Sequence, residues 1–293
     1  MKQKSQPIVL VQKPGWLKRR LPNGPTYENV RGMLQKERLH TVCQEARCPN
    51  IWECFGQQTA TFLILGSRCT RNCRFCSVDA GPPKPPDPDE PVRVADVARR
   101  MGLKYVVVTS VTRDDLPDGG AGIFAKTIIE IRREIPDACV EVLIPDFQGS
   151  AQALKTVLQA RPDVLNHNLE TVLRLYPLVR PGADYKRSLE LLRSVQSFGF
   201  CTPTKSGLML GFGEDPGEIK QVLEDLLQVS CRMLTIGQYL QPTKHHLPVK
   251  RYIPPEEFEH WRDIALDMGF SEVASGPFVR SSYHAKELFQ AVK

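Results

Sequence analysis

Cys69, Cys73 and Cys76 form a CxxxCxxC array with Phe75 inside its last gap. Three thiolates at this spacing can hold three irons of a 4Fe–4S cluster and leave the fourth iron without a protein ligand. A catalytic metal needs such an open position, whereas a structural site is closed. Arg68, Arg71 and Arg74 share the loop and offset the negative charge of cluster and thiolates. Zinc motifs mostly pair cysteines in two separated halves, so zinc matches this tight triplet less well. A second triplet, Cys43, Cys48 and Cys54, has the spacing CxxxxCxxxxxC. Zinc or a structural cluster remains open for it. If it holds a second cluster, spacing does not separate an electron relay from a sulfur source.

Nine cysteines include these six, with only Cys139, Cys201 and Cys231 outside them. An odd, clustered set argues for metal or catalysis over a disulfide framework. The three outliers read as small buried residues. The 293 residues are 41% hydrophobic and 25% charged, an ordinary globular balance with room for a sizeable core. No run approaches the roughly 18–20 apolar residues of a membrane helix. Residues 1–20 are too broken for a secretory signal, so a cytoplasmic protein is expected. Lys2, Lys4, Lys13, Lys18, Arg19 and Arg20 all precede the first acid, Glu28. They read as a solvated arm, with steering of an acidic partner as the functional alternative. The net charge of +6 does not by itself call for nucleic acid.

The elements that must position the cysteines begin after residue 58. Strand-like runs at 61–65, 105–109, 140–144, 164–168, 206–210 and 234–240 alternate with helix-like stretches at 94–101, 122–134, 151–159, 185–198 and 216–229. Strands separated by helices form a parallel sheet, and continuous apolar runs suit strands covered on both faces. No GxGxxG follows the first strand; the cysteine loop stands there instead. That disfavours a dinucleotide-binding sheet and favours an α/β fold of the partial (β/α)6 TIM-barrel type, with its site at the strand C-termini. Residues 82–91 read as a stiff proline-rich spacer, 254–269 as one more helix, and 271–293 as a polar, aromatic tail. The expected divisions are 1–58 (arm and second-cluster segment), 59–250 (barrel) and 251–293 (helix and tail closing the second-cluster site).

A CxxxCxFC loop after the first strand resembles the radical S-adenosylmethionine superfamily. The stretches TVCQEARCPNIWECF (41–55), VVVTSVTRDDLPDGGA (106–121), EVLIPDFQG (141–149), NHNLETV (166–172), VRPGADYKRSL (179–189), KSGLMLGFGE (205–214), TIGQYLQPT (235–243) and ASGPFVRSSYHA (274–285) resemble the lipoyl synthase family in order. The resemblance implies two 4Fe–4S clusters and S-adenosylmethionine, whose reductive cleavage gives a radical that takes hydrogen from unactivated carbon. It implies insertion of two sulfur atoms, at carbons 6 and 8 of an octanoyl chain amide-linked to a carrier lysine, with the second cluster as sulfur donor. The fourth ligand of that cluster would be Ser282, with Ser281 the less favoured choice. A hard oxygen suits soft iron–sulfide poorly and should release readily.

The same resemblance assigns the loop of Arg113 and Asp114 to the border of cofactor and substrate. Phe75, Thr109, Ser110, Asn168, Glu170, Arg180 and Ser206 are expected around S-adenosylmethionine, with Gln241 a weaker candidate. His167, His245 and His246 receive no ligand role; Trp52 and Tyr283 are expected to pack around the second cluster. Expected partners are an octanoylated carrier (a glycine-cleavage carrier or acyltransferase lipoyl domain), a low-potential donor such as ferredoxin or flavodoxin, and iron–sulfur carrier proteins. No nucleic acid or membrane partner is expected, and the chain is expected to be a monomer. A two-cluster electron-transfer protein accounts for both triplets but not for six β/α units. A zinc-bearing nucleic-acid binder lacks both the zinc pair and an aromatic RNA-binding motif.

Overall fold

The computed structural model describes residues 13–18, 24–57, 59–283 and 285–290. Most of the basic arm, including Lys2, Lys4, Arg19 and Arg20, lies outside the described residues. The chain begins with α1 (Pro25–Lys36), β1 (His40–Thr41), α2 (Val42–Glu45) and α3 (Ile51–Gly56). Then come β2 (Thr61–Ile64), β3 (Arg68–Cys69), β4 (Asp79–Ala80), α4 (Glu90–Arg100), β5 (Tyr105–Ser110), α5 (Ala121–Glu134), β6 (Cys139–Leu143) and α6 (Ala151–Gln159). The second half holds β7 (Val164–Asn166), α7 (Tyr176–Val179), α8 (Tyr185–Ser197), β8 (Thr204–Leu210), α9 (Pro216–Gln228), β9 (Met233–Gln238), α10 (Pro255–Met268), β10 (Glu272–Gly276) and α11 (Ala285–Gln290).

The main sheet runs β1-β2-β5-β6-β7-β8-β9-β10. Only β1 is antiparallel, beside β2; every other pair is parallel. The six expected strands are all present, and local chemistry explains why the helices start and stop where they do. α4 buries Val94, Ala95, Val97 and Ala98 on one face and stops at Gly102, whose φ of +65° a side chain would resist. Asp184 caps α8 by accepting from the Arg187 N–H at 2.7 Å. α9 starts with Pro216, whose missing N–H has no helical partner to lose, and Glu218 reaches back to the Asp215 N–H at 2.9 Å.

Three sequence expectations need correction. The segment before residue 58 was expected to hold no periodic run, yet α1 forms there and buries Val30 and Leu34 one turn apart. The tail was not expected to hold a strand, yet β10 pairs with β9 in register from Glu272↔Met233 to Gly276↔Gly237. Its signal is weak because Val273 is its only buried residue. The proline-rich spacer ends in a structural residue: Glu90 begins α4, is buried, and accepts from the Leu65 N–H at 2.7 Å. That bond holds the turn from β2 into the cysteine loop, where Leu65 has φ +69°.

Inside the sheet's curve, Lys205 and Glu141 form a fully buried ion pair at 3.0 Å. Tyr105 Oη and Asn166 Nδ2 also donate to the Glu141 carboxylate, at 2.7 and 3.2 Å. Below it, Leu288 and Phe289 of α11 pack on Val164 and Met233, and Phe289 meets Tyr105 at a ring separation of 5.9 Å. The tail therefore covers the N-terminal ends of the central strands. No helix among the described residues is long and apolar enough to cross a membrane. Removing the cation from a buried pair leaves an uncompensated charge, so Lys205→Met should cost about 3–5 kcal/mol in urea denaturation of the apo-protein. Adding Glu141→Gln should recover a good part of that loss.

Candidate active site

A cavity of about 910 Å³ is lined by all six clustered cysteines. The first triplet hangs in the loop that leaves β2, and four neighbouring segments fix it. Thr70 donates N–H and hydroxyl to the Thr112 carbonyl at 3.0 and 2.9 Å. The Thr112 and Arg71 N–H groups point at Cys69 Sγ, at 3.3 and 3.4 Å. Arg74 N–H donates to the Val179 carbonyl at 2.9 Å, and the Arg74 carbonyl accepts from Leu247 at 3.1 Å. His246 Nε2 bonds the Cys76 carbonyl at 2.9 Å while its Nδ1 pairs with the Thr243 hydroxyl. A carbonyl only accepts, so Nε2 carries the proton and Nδ1 accepts from Thr243. His246 is thus a strap for the cluster loop and not a metal ligand.

Arg71 is the loop's main anchor. Its guanidinium is bidentate to Asp114, at 2.7 and 2.9 Å, and reaches Asp146 at 2.6 Å. Burial pushes the Asp146 carboxyl up, but Arg71 overrides it and holds the group down at about 2. Arg187 adds a weaker contact to Asp146 at 3.3 Å. The backbone turns sharply to present Asp146: Phe147 and Gln148 both have positive φ, and the Gln148 N–H donates to the Asp146 carboxylate at 3.1 Å.

The second triplet lies on α2, the turn after it and α3. Cys43 is buried and lines the cavity beside Thr61. Burial pushes the Cys43 thiol well above its ordinary range, and raises Cys73 and Cys76, the latter to about 12. Neighbouring thiols raise all three further. Such thiols ionise when a cation sits among them, as metal ligation requires. No three His, Cys, Asp or Glu side chains among the described residues converge tightly enough for a single ion. A four-iron cube is larger, and its ligands stand farther apart.

The tail closes the same cavity. Asn50 Nδ2 donates to the Phe278 carbonyl at 2.7 Å, and Tyr283 Oη donates to Glu53 at 2.9 Å. Thr61 Oγ1 donates to Ser282 Oγ at 2.7 Å, while Asn168 Nδ2 donates to Ser281 Oγ at 2.6 Å. The two serines therefore face different neighbours: Ser282 the first residue of β2, Ser281 the loop after β7. Gly237 makes room for this path, because a Cβ there would fall 2.2 Å from the Val279 carbonyl.

Of the residues expected around the cofactor, Phe75, Thr109, Ser110, Asn168, Glu170 and Arg180 line the cavity, as does Gln241. Arg180 donates to the Asn168 and Leu169 carbonyls at 2.8 and 3.2 Å and to Tyr176 Oη at 2.9 Å. Burial pushes the Glu170 carboxyl up, against the pull of Arg180, Asn168 and Arg280. Ser110 Oγ, Asn168 Oδ1 and Arg180 Nε are buried with no hydrogen-bond partner among the described residues. Buried polar atoms without partners are costly, and these three fit a ligand rich in donors and acceptors.

Three expected site residues are not at the cavity. Arg113 is buried in a bidentate pair with Asp115, both bonds 2.8 Å, and donates to the Leu65 carbonyl. Asp114 faces Arg71 and borders a separate surface hollow beside Phe147. Ser206 lies within β8, where its hydroxyl accepts from the Leu169 N–H at 3.2 Å. Sequence reasoning missed Arg280, which lines the cavity; burial works against its charge and lowers its pKa, with Cys48 and Glu170 pulling the other way. Its place in RSSY, two residues before the expected ligand Ser282, was the one signal for it. Asn50, Glu53 and Gly237 were missed too, since their partners lie far along the chain.

A curved parallel sheet with a three-cysteine loop after its first parallel strand defines a radical S-adenosylmethionine enzyme. The superfamily profile matches residues 63–226, and a profile for the N-terminal domain of lipoyl synthase matches residues 2–48. The chain belongs to the lipoyl synthase family. It is 56% identical to the lipoyl synthase of Rubrobacter xylanophilus over 275 residues, covering 94% of this chain and 86% of that protein. It is 56% identical to that of Desulfotalea psychrophila over 280 residues, covering 96% and 94%. Among solved structures the fold is similar to Streptococcus suis SuiB bound to S-adenosylmethionine, with TM-score 0.56 and 12% identity over 83% of this chain and 58% of that one. It is also similar to HydG, a maturase of the FeFe-hydrogenase, with TM-score 0.52 and 13% identity over 89% and 77%. The family uses S-adenosylmethionine and 4Fe–4S clusters, and its activity is sulfur insertion.

Arg71→Met should leave Asp146 buried with only Arg187 nearby and cost about 3–5 kcal/mol near neutral pH. The wild-type Asp146 carboxyl is depressed, so its stabilisation is full above the ordinary carboxylate range and is lost only as pH falls toward about 2. In the variant the carboxyl rises instead, so the deficit should shrink as pH falls from 7 to 5 in denaturation curves.

Proposed function

We propose that the chain makes lipoyl groups within one chamber, with Cys69, Cys73 and Cys76 holding the radical-generating cluster and Cys43, Cys48, Cys54 and Ser282 holding the second. The observation that carries this reading is that both triplets and Ser282 line a single cavity. When bound, the clusters and S-adenosylmethionine supply a carbon-centred radical, able to take hydrogen from unactivated carbon, and the sulfur that replaces it.

The chain's own residues bind, orient and shield. Ser110, Asn168 and Arg180, with their unpaired buried atoms, would take the polar groups of S-adenosylmethionine. Glu170 is suited to ribose hydroxyls, and Phe75 and Thr109 to the remaining wall. Arg113, Asp114 and Ser206 act behind the site: Asp114 orients Arg71, Arg113 braces the end of β2, and Ser206 holds the loop after β7. The hydrogen bond from Thr61 supports Ser282 over Ser281 as the oxygen ligand, since Thr61 shares the cavity wall with Cys43 whereas Ser281 is held by Asn168. Arg280, between Cys48 and Glu170, would balance charge between the two halves.

The divisions at 1–58, 59–250 and 251–293 become functional ones on this reading, with β10 an added barrel strand inside the third. The substrate is an octanoyl-lysine of a carrier such as a glycine-cleavage carrier or an acyltransferase lipoyl domain. Ferredoxin or flavodoxin would supply electrons, and iron–sulfur carrier proteins would restore the second cluster. No nucleic acid or membrane partner is required, and a cytoplasmic monomer suffices.

Mass spectrometry of an octanoylated carrier after anaerobic reaction tests the proposal. Two sulfur atoms in place of two hydrogens are expected; cofactor cleavage without sulfur gain would overturn it. Ser282→Ala should abolish the gain and lower iron bound by a variant lacking the first triplet. Ser281→Ala should leave that iron unchanged.

A further inference from the structure

The strap over the cluster loop carries an exposed surface that the chemistry inside the cavity does not use. Arg74 lies between Cys73 and Cys76, its side chain exposed, and its backbone joins Val179 on one side and Leu247 on the other. Leu178, next to Val179, is 43% exposed, and nearby Leu173 is 57% exposed. They are two of the five large apolar side chains that stand exposed among the described residues. Lys244 lies in the segment that straps Cys76. Lys250 packs beside Gly213, whose carbonyl accepts from Arg174 next to Leu173. Arg74, Lys244 and Lys250 have no ion-pair partner among the described residues. The acids at this surface are already engaged: Glu218 with Arg174, Glu257 with Arg251, Glu214 with the N–H groups of residues 211–213, and Asp215 with the first turn of α9 that it caps.

We propose that this face, with Arg74, Leu173, Leu178, Lys244 and Lys250, docks the electron donor, a small acidic redox protein. A small apolar centre with unpaired cations around it fits a transient acidic partner, whose encounter it would steer. Electron transfer falls steeply with distance, and this surface is built on the backbone of the first cluster's loop. In the step, the donor loses one electron and the first cluster gains it. The octanoyl carrier could also be acidic, but it must deliver its chain into the cavity and not to the outer side of this strap. The inference rests on the radical-enzyme reading, which needs a reductant.

Reductive cleavage of S-adenosylmethionine, without any carrier, provides the test. Rates are compared for reduced flavodoxin and for dithionite, in the Lys244→Glu/Lys250→Glu double variant, in Leu178→Ser, and in Lys126→Glu as a control on α5. The ratio of flavodoxin-driven to dithionite-driven rate should fall about tenfold or more in the double variant, fall in Leu178→Ser, and stay constant in the control. The wild-type ratio should also drop with added salt. A ratio unchanged in the double variant overturns the proposal, whether both rates hold or fall together. A raised KM for octanoylated carrier with an unchanged ratio overturns it in favour of carrier docking. Absence of sulfur insertion alongside a shifted ratio would count against the lipoyl reading and leave the docking surface standing.

Discussion

Thr61 makes the contact on which the rest of the site depends. Its hydroxyl donates to Ser282 at 2.7 Å, across 221 residues of sequence, on the cavity wall that it shares with Cys43. One residue at the start of the first parallel strand therefore ties the tail to the wall that bears the second triplet. The rest of the barrel makes that meeting possible. β10 brings the tail alongside β9, Gly237 lets Val279 cross the strand closely, and α11 packs under Tyr105 and so anchors the tail beyond Ser282. On the proposed reading, the tail closes the second triplet with Ser282, whereas the first keeps an open side. The difference between the two sites would then be one of topology as much as of spacing.

The chamber between them is costly to build. A parallel barrel core would ordinarily be filled with aliphatic side chains, but this one holds buried Arg71, Arg113 and Lys205 together with buried Glu141 and Asp146. Each is paired, and the pairings cross-link the sheet: Arg71 joins the loops after β5 and β6, and Lys205 of β8 reaches Glu141 of β6 across β7. These pairs give rigidity in directions that apolar packing alone leaves soft. Among the unpaired buried atoms, Ser110 Oγ, Asn168 Oδ1 and Arg180 Nε belong to cavity-lining residues, where a polar cofactor would satisfy them.

Residues 59 to 250 were readable because their signals are local. Cys69, Cys73 and Cys76 lie within one loop, and each of the six central strands is a continuous apolar run. The proposed fourth ligand of the second triplet, Ser282, was unreadable from residue chemistry alone, since a serine in a polar tail has no spacing to betray it; only the family resemblance singled it out. β10 was missed because AlaSerGly carries almost no strand propensity and a single buried valine gives no alternation. Arg113 and Asp114 were drawn toward the cavity by the family resemblance, and Ser206 by its place in a strand. Neither fixes which way a side chain faces, and each of the three is already engaged: Arg113 by Asp115, Asp114 by Arg71 of the cluster loop, and Ser206 by the Leu169 N–H. Arg280 was overlooked for the opposite reason: its neighbours Cys48 and Glu170 come from two distant segments.

On the proposed reading, a second site closed by Ser282 holds the inserted sulfur in the same chamber as the radical. The most direct measurement is the isotopic composition of the product after both clusters are built with heavy-isotope sulfide and the reaction is run in unlabelled buffer. Both inserted sulfur atoms should then be heavy, with no more than a single lipoyl group formed per chain. Light sulfur in the product, or continued turnover at full rate without a fresh cluster, would contradict it.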